Sequence, residues 1–570
     1  MLKLLFILTL ALSCTSENDS SKKVLNLAIS SDASTLDTAL AYDTISSQVV
    51  GQINETLYEY HYLNRPFTLK PLLAESMPDI SNDGLTYKIK IKKNVKYHPS
   101  TVLDESRTLM AQDFINQIKR VAFKPTQSSG WWLFDDKIIG LNSFRSNAKK
   151  DLSNFFDLNV KGLSAPDKHT LVIKLKRPYP QLIYALAMAF TSPTPNEVIK
   201  ASNNNLNRGV VGTGPFRLIE WNNGLNIILE KFDAYHDQKY PTSGDQYSHK
   251  NNLLADAQKS LPLIDKVEFK VIKESQTRWL NFLNKKIDLI VLSKEHFSLA
   301  LDAAGKVKKE IKDKGIKLQI ASTLTYWWLA FNMNDKILGK NKKIREAIAH
   351  AVNIDSYIEI FTNKIALKAN SIFPPGIVGY DPSNELPYSY NISKAKKLLA
   401  EAGYPNGKGL PVINYDVRGN STVSRQMGEF IQKELSKIGI RIKVIMNPFS
   451  QFLRKARTGQ LQFWQGGWAL DYPDAENVVQ LLYSKNHPPG PNSTFYTDSR
   501  IDKIYKELSQ TSNLNRVNGL TKKAQEIIND DLPWIMQFYS RNYILINDRV
   551  KNYRQSDLIY NSLKYINVKE

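Results

Sequence analysis

Apolar and polar residues alternate along several short stretches of the chain. At 87–91 the apolar residues alternate with lysines, and the same period of two recurs at 171–175, 267–271 and 440–444. Because successive side chains of a strand point to opposite faces, this pattern predicts half-buried β-strands.

Helical periodicity lies between these stretches. In 395–402 the apolar residues fall at i, i+3, i+4 and i+7, after a candidate N-cap at Ser393 and before a stop at Gly403. A second apolar stripe covers 344–352. Strands that alternate with helices over several hundred residues predict the α/β class.

The length of 570 residues is too great for one compact core and predicts three or four folding units, at about 150 residues each. Hydrophobic residues make up 42% and charged residues 23% of the chain, a globular composition that excludes a disordered or collagen-like protein. The one long apolar run is at the N-terminus, so a polytopic membrane protein is excluded as well.

The charge of the chain is strongly positive. It has 76 Lys and Arg against 55 Asp and Glu, a net charge of +21. The lysines are scattered along the chain rather than gathered in one arm or stripe, which argues against nucleic acid as a partner. A solvated lysine-rich surface is the preferred interpretation, with weak attraction to anionic lipid headgroups as the alternative.

Few residues offer metal or covalent chemistry. The single cysteine, Cys14, excludes disulfides and cysteine-ligated zinc within the monomer, and no two of the eight histidines lie within one helical turn. The patterns HExxH and GxSxG are absent, and the glycines of 402–409 lack the spacing of a phosphate loop. We therefore expect no metal, no cofactor and no enzyme, with a secreted hydrolase as a minor alternative.

The N-terminus predicts export. Its apolar stretch 4–12 has nine residues, which span about 14 Å as a helix against a hydrocarbon core of about 30 Å. Residues 1–13 are therefore typical of a signal peptide. Ser13 and Cys14, followed by a polar stretch, resemble the lipobox of bacterial lipoproteins, which implies lipidation of Cys14 and a linker at 14–21. A plain cleaved signal is the alternative.

Motifs in a fixed order resemble the family 5 extracellular solute-binding proteins, the peptide- and nickel-binding components of ABC importers. They extend over about 500 residues, which is more specific than any one motif alone. The segments that carry the resemblance are STLD (34–37), the block PLLAESMPDISNDGLTYKIKIKKNVKYH (71–98), GTGPFRLIEW (212–221), KIREAIAHAVNID (343–355), SKAKKLLAEAGYPNGKGLP (393–411) and GWALDYPD (467–474).

The resemblance implies a two-lobed periplasmic-binding-protein fold of the α/β class, of class II type. Lobe I is expected to combine 22–66, 190–273 and 536–570, with an extra subdomain inserted at 67–189. Lobe II is expected at 274–535, joined to lobe I by two strand-like hinge segments.

The segment GWALDYPD carries the principal candidate for ligand binding. Asp471 places a carboxylate among aromatic and aliphatic neighbours, where an unpaired charge is unfavourable. An ion pair with a nearby Lys or Arg would satisfy it, and that role stays open from the sequence. The resemblance implies instead that Asp471 receives the α-ammonium of a bound peptide.

Further site residues follow from the resemblance. The backbone of Gly467, Trp468 and Ala469 is expected to hydrogen-bond an extended peptide. Such main-chain pairing does not depend on the side chains of the peptide. Ser31, Asp32 and Ala33 are expected to face them from lobe I. Asn492 is expected to reach the ligand. Weaker candidates, with core packing or solvent exposure as the other interpretation, are Trp131, Trp132, Trp327 and Trp328 for the walls, and Arg454 and Arg457 for the peptide carboxylate.

The sequence therefore predicts a monomeric, exported substrate-binding lipoprotein of an ABC importer. It would capture short peptides and deliver them to a membrane permease with its ATPase, on the periplasmic or cell-surface face of a bacterial membrane. Two alternatives stay open. One is a carrier of non-peptide cargo such as a nickel chelate, haem or an oligosaccharide, and the other is a peptide-sensing surface receptor.

Overall fold

All four alternating stretches form strands. The computed structural model describes residues 22–208, 211–488 and 490–569, so the predicted signal peptide (1–13), Cys14 and the linker (14–21) lie outside the described residues. The strands are β1 (Val24–Ile29), β2 (Tyr58–Tyr60), β3 (Leu69–Pro71), β4 (Asp79–Ile80), β5 (Thr86–Lys90), β6 (Leu163–Asp167), β7 (Thr170–Lys174), β8 (Phe216–Asn222), β9 (Asn226–Lys231), β10 (Lys266–Val271), β11 (Leu289–Val291), β12 (Ile316–Phe331), β13 (Leu367–Lys368), β14 (Ile413–Arg418), β15 (Ile442–Asn447), β16 (Phe463–Ala469), β17 (Trp534–Asn547), β18 (Val550–Lys551) and β19 (Asn567–Val568).

Helices lie between the strands, and no helix of the described part has both the length and the apolar character needed to cross a bilayer. The α-helices are α1 (Thr44–Ile53), α2 (Ala111–Ala122), α3 (Leu141–Asn147), α4 (Leu182–Ala185), α5 (Asn196–Ala201), α6 (Gln246–Lys250), α7 (Ser275–Leu283), α8 (Phe297–Ala300), α9 (Lys309–Lys312), α10 (Lys342–Ala351), α11 (Ile354–Thr362), α12 (Ile392–Glu401), α13 (Thr422–Ser436), α14 (Phe449–Arg457), α15 (Glu476–Val479), α16 (Ser499–Leu508) and α17 (Leu514–Asp531).

The helix predicted at 395–402 begins earlier than expected. Its N-cap is Asn391, whose side chain accepts a hydrogen bond from the Lys394 amide, and not Ser393. Asn is a strong N-cap because its side-chain oxygen satisfies an unpaired amide of the first turn. The predicted stop is confirmed, since Gly403 has a φ of +93°, a conformation that glycine adopts without strain.

Two sheets define two lobes. Lobe I is built on the sheet β1-β10-β9-β8, in which β1 and β10 are parallel, together with helix α1. Lobe II is built on β16, β14, β15 and the adjoining ends of β12 and β17, covered by α10 to α17. A third sheet, β4-β5-β7-β6, packs against α2 and forms a separate layer.

Strands β12 and β17 are long enough to belong to both lobes. Residues 316–322 of β12 pair with 541–547, and after a break in register 326–330 pair with 534–539. Ile544 lies in the core of lobe I, whereas Leu329 and Ile535 lie in the core of lobe II. The chain therefore crosses between lobes inside these two antiparallel strands.

The predicted boundaries at 273/274 and 535/536 differ from these crossings. Residues 274–315 pack with lobe I, because α7 and β11 bury Trp279 and Phe282 against the far ends of β12 and β17, and Asp288 bonds to the backbone of Asn26 in β1. The boundary at 535/536 falls inside β17, whose pairing with β12 continues across it. The crossing in β17 lies a few residues later, at 539–541.

Candidate functional site

A half-buried carboxylate lies where the two lobes meet. Oδ1 of Asp471, just after β16, accepts a hydrogen bond of 2.6 Å from the Tyr42 hydroxyl, and Oδ2 accepts one of 3.2 Å from the Asn477 amide. Burial raises the pKa of the Asp471 carboxyl, although both hydrogen bonds favour its ionised form. Among the described residues, no Lys, Arg or His nitrogen lies within 4.0 Å of it. The ion pair considered above is therefore not formed.

Tyr42 is the residue of lobe I that bonds to this carboxylate. It lies directly before Asp43, the N-cap of α1, and its neighbour Ala41 packs in the core of lobe I. Burial, and then the charge of Asp471, raise the pKa of the Tyr42 phenol, so the hydroxyl stays a donor at neutral pH. The contact to Asp471 consequently spans the cleft between the lobes.

Asn477 fixes the geometry of the Asp471 segment. Its side chain is fully buried in the first turn of α15. The Oδ1 atom accepts hydrogen bonds from the Trp468 indole at 3.0 Å and from the Asp471 amide at 3.2 Å, while Nδ2 donates to the carboxylate. Sequence reasoning missed this residue. The available signal was an Asn that follows the site aspartate by about one and a half helical turns, at the start of a helix.

The three residues at the end of β16 have different surroundings. A Cβ on Gly467 would lie 2.5 Å from the Trp327 ring, so the glycine makes room for that indole, which faces it across the β12–β16 pair. Trp468 is half-buried, and Ala469 is exposed. The space beside Gly467 is therefore occupied by Trp327 on this side of the strand.

Two cavities meet at Tyr42 and Asp471. The smaller has a volume of about 250 Å³ and lies between lobe I and the end of β16, where Ala469 lines it. The larger, of about 760 Å³, lies between lobe II and the layer of the third sheet, with Trp468 and Trp132 in its wall. Asp471 thus lines both spaces.

Aromatic rings form the wall of the larger cavity. The ring of Tyr472 stacks on Tyr184 at 5.5 Å and on Trp132 at 6.3 Å, and its hydroxyl donates to Glu476 at 2.7 Å. Burial, and then the charge of Glu476, raise the pKa of Asp474 to about 7. These contacts join the layer of the third sheet to lobe II.

The predicted lobe I residues make their hydrogen bonds within lobe I. The Asp32 carboxylate accepts hydrogen bonds from the Trp221 indole at 2.8 Å and from the Gly224 amide at 2.7 Å, both in the β8–β9 hairpin. Ala33 is buried in the lobe I core, and the hydroxyl of Ser31 bonds to the neighbouring carbonyl. No hydrogen bond of the described residues joins 31–33 to 467–469. Tyr42 makes the hydrogen bond to this segment instead.

Asn492 has a structural role in place of the predicted one. It is fully buried, and its Nδ2 donates to the carbonyls of Tyr483 and Tyr496 at 3.0 and 2.9 Å. Its Oδ1 accepts the hydroxyl of Thr494 at 2.8 Å. The amide is therefore engaged with protein groups on both sides, which leaves nothing directed to either cavity.

The weaker candidates divide between core, cavity wall and surface. Trp328 is buried beside Trp534, and the Trp327 indole donates to Ser540 at 2.9 Å. Trp132 lines the larger cavity, whereas Trp131 packs against the core of the third layer. Both predicted carboxylate ligands, Arg454 and Arg457, are exposed on α14 and line neither cavity.

A different arginine lacks an anionic partner. The Arg418 guanidinium, at the end of β14, is half-buried and lies 4.9 Å from the Trp327 ring centre and 5.1 Å from that of Phe449. Burial lowers its pKa, and no carboxylate of the described residues lies within 4.0 Å of it. β14 pairs with β16 only at Tyr415 and Asp416, so the same edge of 465–469 has no strand beside it in the described part.

Metal binding has no candidate in the structure. No group of three or more His, Cys, Asp or Glu is placed to hold an ion within the ranges described above.

Comparison with known proteins places these features in a family. The family model of bacterial extracellular solute-binding proteins, family 5 (Middle), matches residues 68–490. Heme-binding protein A of Haemophilus influenzae is 25% identical over 93% of this chain and 88% of its own length, and the glutathione-binding protein GsiB of Escherichia coli O1:K1 / APEC is 25% identical over 90% and 88%.

A solved structure is similar over nearly the whole chain. The ABC transporter-associated periplasmic binding protein DppA from Helicobacter pylori, in complex with the peptide STSA, matches with a TM-score of 0.75 and 26% identity. The match covers 96% of this chain and 99% of that one. The predicted two-lobed α/β fold and the predicted family are thereby confirmed.

Proposed function

The chain belongs to the bacterial extracellular solute-binding proteins of family 5, and we propose that it captures short peptides in the cleft around Asp471 for an ABC importer. Proteins of this family are the periplasmic binding components of such importers, and a similar structure holds a peptide. Peptide as the cargo, the permease and its ATPase as partners, and a lipid anchor at Cys14 are the specific parts of the proposal.

The observation that carries the proposal is the unpaired, half-buried carboxylate of Asp471 between two lobes. An anion that is partly removed from water and has no cation beside it is unfavourable, and a ligand ammonium would compensate it. A charge-assisted hydrogen bond of this kind contributes about 1.5–3 kcal/mol. Asn477, on the same lobe as Asp471, orients the carboxylate independently of closure, and Tyr42 bonds to it from lobe I when the lobes are together.

Arg418 supplies the complementary charge for the other end of a peptide. Continuing the β14–β16 register places it level with Gly466, at the start of the unpaired edge of β16. From there to Ala469 is three strand steps, about 10 Å at roughly 3.3 Å per residue. A peptide of about three residues added along this edge would extend from Arg418 to Asp471, with main-chain bonds that accept many sequences.

Closure follows from ligand contacts on both lobes. The lobes are joined by β12 and β17, where a break in register between Ser322 and Tyr326 interrupts the pairing. A peptide that bonds to β16 and fills the space beside Tyr42 stabilises the closed state more than the open one. This differential affinity shifts the population toward the closed state, which is the state that the permease recognises in our proposal.

The proposed tether has a structural context in lobe I. The Val24 carbonyl accepts a hydrogen bond of 2.7 Å from Arg549, beside an open basin lined by lysines. Those lysines are Lys306, Lys312, Lys317, Lys551 and Lys569. A basic surface where the N-terminal segment enters the fold suits an anionic membrane face. The mass of the mature N-terminal peptide tests this: diacylglycerol on Cys14 supports the anchor, and an unmodified terminus contradicts it.

Calorimetry tests the peptide proposal directly. The full chain is titrated with trialanine and with N-acetyl-trialanine, which lacks the ammonium. We expect at least tenfold weaker binding of the acetylated peptide, and the same loss for free trialanine with Asp471→Asn. Asp381→Asn, on an exposed loop, is the matched control. Equal affinity for both peptides would contradict the role of Asp471.

The same titration addresses non-peptide cargo. Two relatives are named for haem and for glutathione, so haemin and reduced glutathione are the competing titrants. Tight binding of either, without binding of the tripeptide, would replace peptide by that cargo.

A further inference from the structure

The smaller cavity holds a second carboxylate without a cation. Asp557 lines it together with Asp471, and no Lys, Arg or His is among its lining residues in the described part of the chain. The other acids in its wall have their own partners: Glu55 pairs with His236 at 2.8 Å, and Glu59 pairs with Lys564 at 2.8 Å. Asp471 and Asp557 are therefore the two acids of this wall that form no ion pair within 4.0 Å among the described residues.

The hydrogen bonds of the half-buried Asp557 carboxylate are long. It accepts the Leu324 amide at 3.2 Å and the Gln555 side-chain amide at 3.4 Å, and burial raises its pKa. The charge of Arg65 lowers that pKa, but the guanidinium donates to backbone carbonyls, among them those of Asn64 at 2.7 Å and Gln555 at 3.2 Å. No ion pair with Asp557 forms within 4.0 Å among the described residues.

One phenol connects the two acids. After burial, the charges of Asp557 and then Asp471 are the causes that raise the pKa of Tyr560 to about 12. Both carboxylates therefore act on the same hydroxyl, which also lines the cavity. Met188 and Phe190 add apolar surface to the wall, so the space between the acids suits a methylene chain.

We propose that this cavity is a subsite for a basic first side chain, and that Asp557 is the specificity-determining residue that selects peptides beginning with Lys or Arg. The inference rests on the proposed function, in which Asp471 receives the α-ammonium of the same residue. The stem of the side chain would lie along Met188 and Phe190, and its charged end would bond to Asp557. Each cation then pairs with a half-buried carboxylate that has no ion pair among the described residues.

Calorimetry on the full chain compares Lys-Ala-Ala with norleucine-Ala-Ala, which has the same stem length and no side-chain charge. We expect the lysine peptide to bind at least tenfold more tightly. With Asp557→Asn the two affinities should come within about threefold, while the norleucine peptide binds as to the wild type. This isosteric variant keeps an acceptor for the Leu324 amide.

Two results would overturn the inference. One is equal affinity of the wild-type protein for the two peptides, which needs no variant and so does not depend on the folding of one. The other is that Asp557→Asn weakens the binding of both peptides equally. That result would show that Asp557 has only a structural role, through its hydrogen bond from the Leu324 amide of β12. Failure of the proposed function is distinct, because then neither peptide binds, or N-acetylation of either has no effect.

Discussion

The hydroxyl of Tyr42 donates a 2.6 Å hydrogen bond to the carboxylate of Asp471, a residue 429 positions away. This bond joins the loop before α1 in lobe I to the loop after β16 in lobe II. It also gives the candidate ligand-binding carboxylate its one hydrogen-bond donor from the opposite lobe among the described residues.

Tyr42→Phe is expected to shift the pH dependence of peptide binding. Binding of an ammonium requires ionised Asp471, so affinity is lost as pH falls through the pKa of that carboxyl, which burial already raises. Removing the Tyr42 donor raises that pKa further, so the loss should begin at higher pH. Affinity measured between about pH 4 and about pH 8 checks this. Tyr390→Phe, at an exposed ring, serves as the control, and superimposable profiles would contradict the prediction.

Asn477→Ala and Asn492→Ala are expected to lower the stability of the protein by similar amounts, but only Asn477→Ala is expected to weaken peptide binding. Each removes a fully buried amide with several hydrogen bonds, at a cost of about 1–3 kcal/mol in the free energy of unfolding. Only Asn477 holds Trp468 and Asp471. Urea unfolding and peptide titration of both variants test this. Weaker binding by Asn492→Ala than by Asn477→Ala would be the opposite of the expected order.

Arg418→Gln is expected to weaken the binding of peptides with a free C-terminal carboxylate and to leave the binding of peptide amides unchanged. The guanidinium is the unpaired cation nearest the open edge of β16 in our proposal, and a charge-assisted bond there corresponds to a loss of at least tenfold. Titration with trialanine and trialanine amide measures the difference. Arg454→Gln, on the exposed face of α14, is the matched control and should change neither affinity.

Gly467→Ala is expected to destabilise the protein, because the new methyl would lie 2.5 Å from the Trp327 ring. Overpacking of this kind costs about 1–3 kcal/mol. Gly519→Ala is the control, since no atom lies within 4 Å of its Cβ position and it occupies the interior of α17. At that position the alanine is expected to raise the free energy of unfolding by about 0.5–1 kcal/mol. Chemical denaturation measures the free energy of unfolding, which should fall for Gly467→Ala and rise for Gly519→Ala.

Asp474 is expected to contribute a loss of stability as pH rises from about 4 to about 7. Burial and then Glu476 raise its pKa in the folded protein to about 7 from 3.8. The folded state therefore keeps a proton that the unfolded chain releases in this window, and unfolding becomes easier as pH rises. Asp474→Asn should flatten the dependence and stabilise the protein at neutral pH. Denaturation midpoints at several pH values check it, with exposed Asp79→Asn as the control.

The local pattern of the sequence was sufficient for the elements. The alternation at 87–91 predicts a strand, and Thr86–Lys90 is one, because side-chain direction in a strand depends on nearest neighbours. The order of motifs was sufficient for the family and for the two-lobed fold. It also singled out Asp471, since an acid within an aromatic segment is unfavourable wherever the segment folds.

What faces that acid was decided only by the tertiary structure. Sequence reasoning placed 31–33 opposite β16, but the Asp32 carboxylate is used by the β8–β9 hairpin and Tyr42 makes the contact. The crossings between the lobes also lie inside β12 and β17, away from the predicted boundaries at 273/274 and 535/536.

The sequence by itself thus determined the class of fold, the family and one candidate carboxylate, because these depend on spacing along the chain. Only the tertiary structure decided that Asp471 has no cationic partner among the described residues and that Asp557 shares its cavity. Whether a charge is compensated depends on which distant side chains come within a few ångströms. Sequence separation carries no information about that distance.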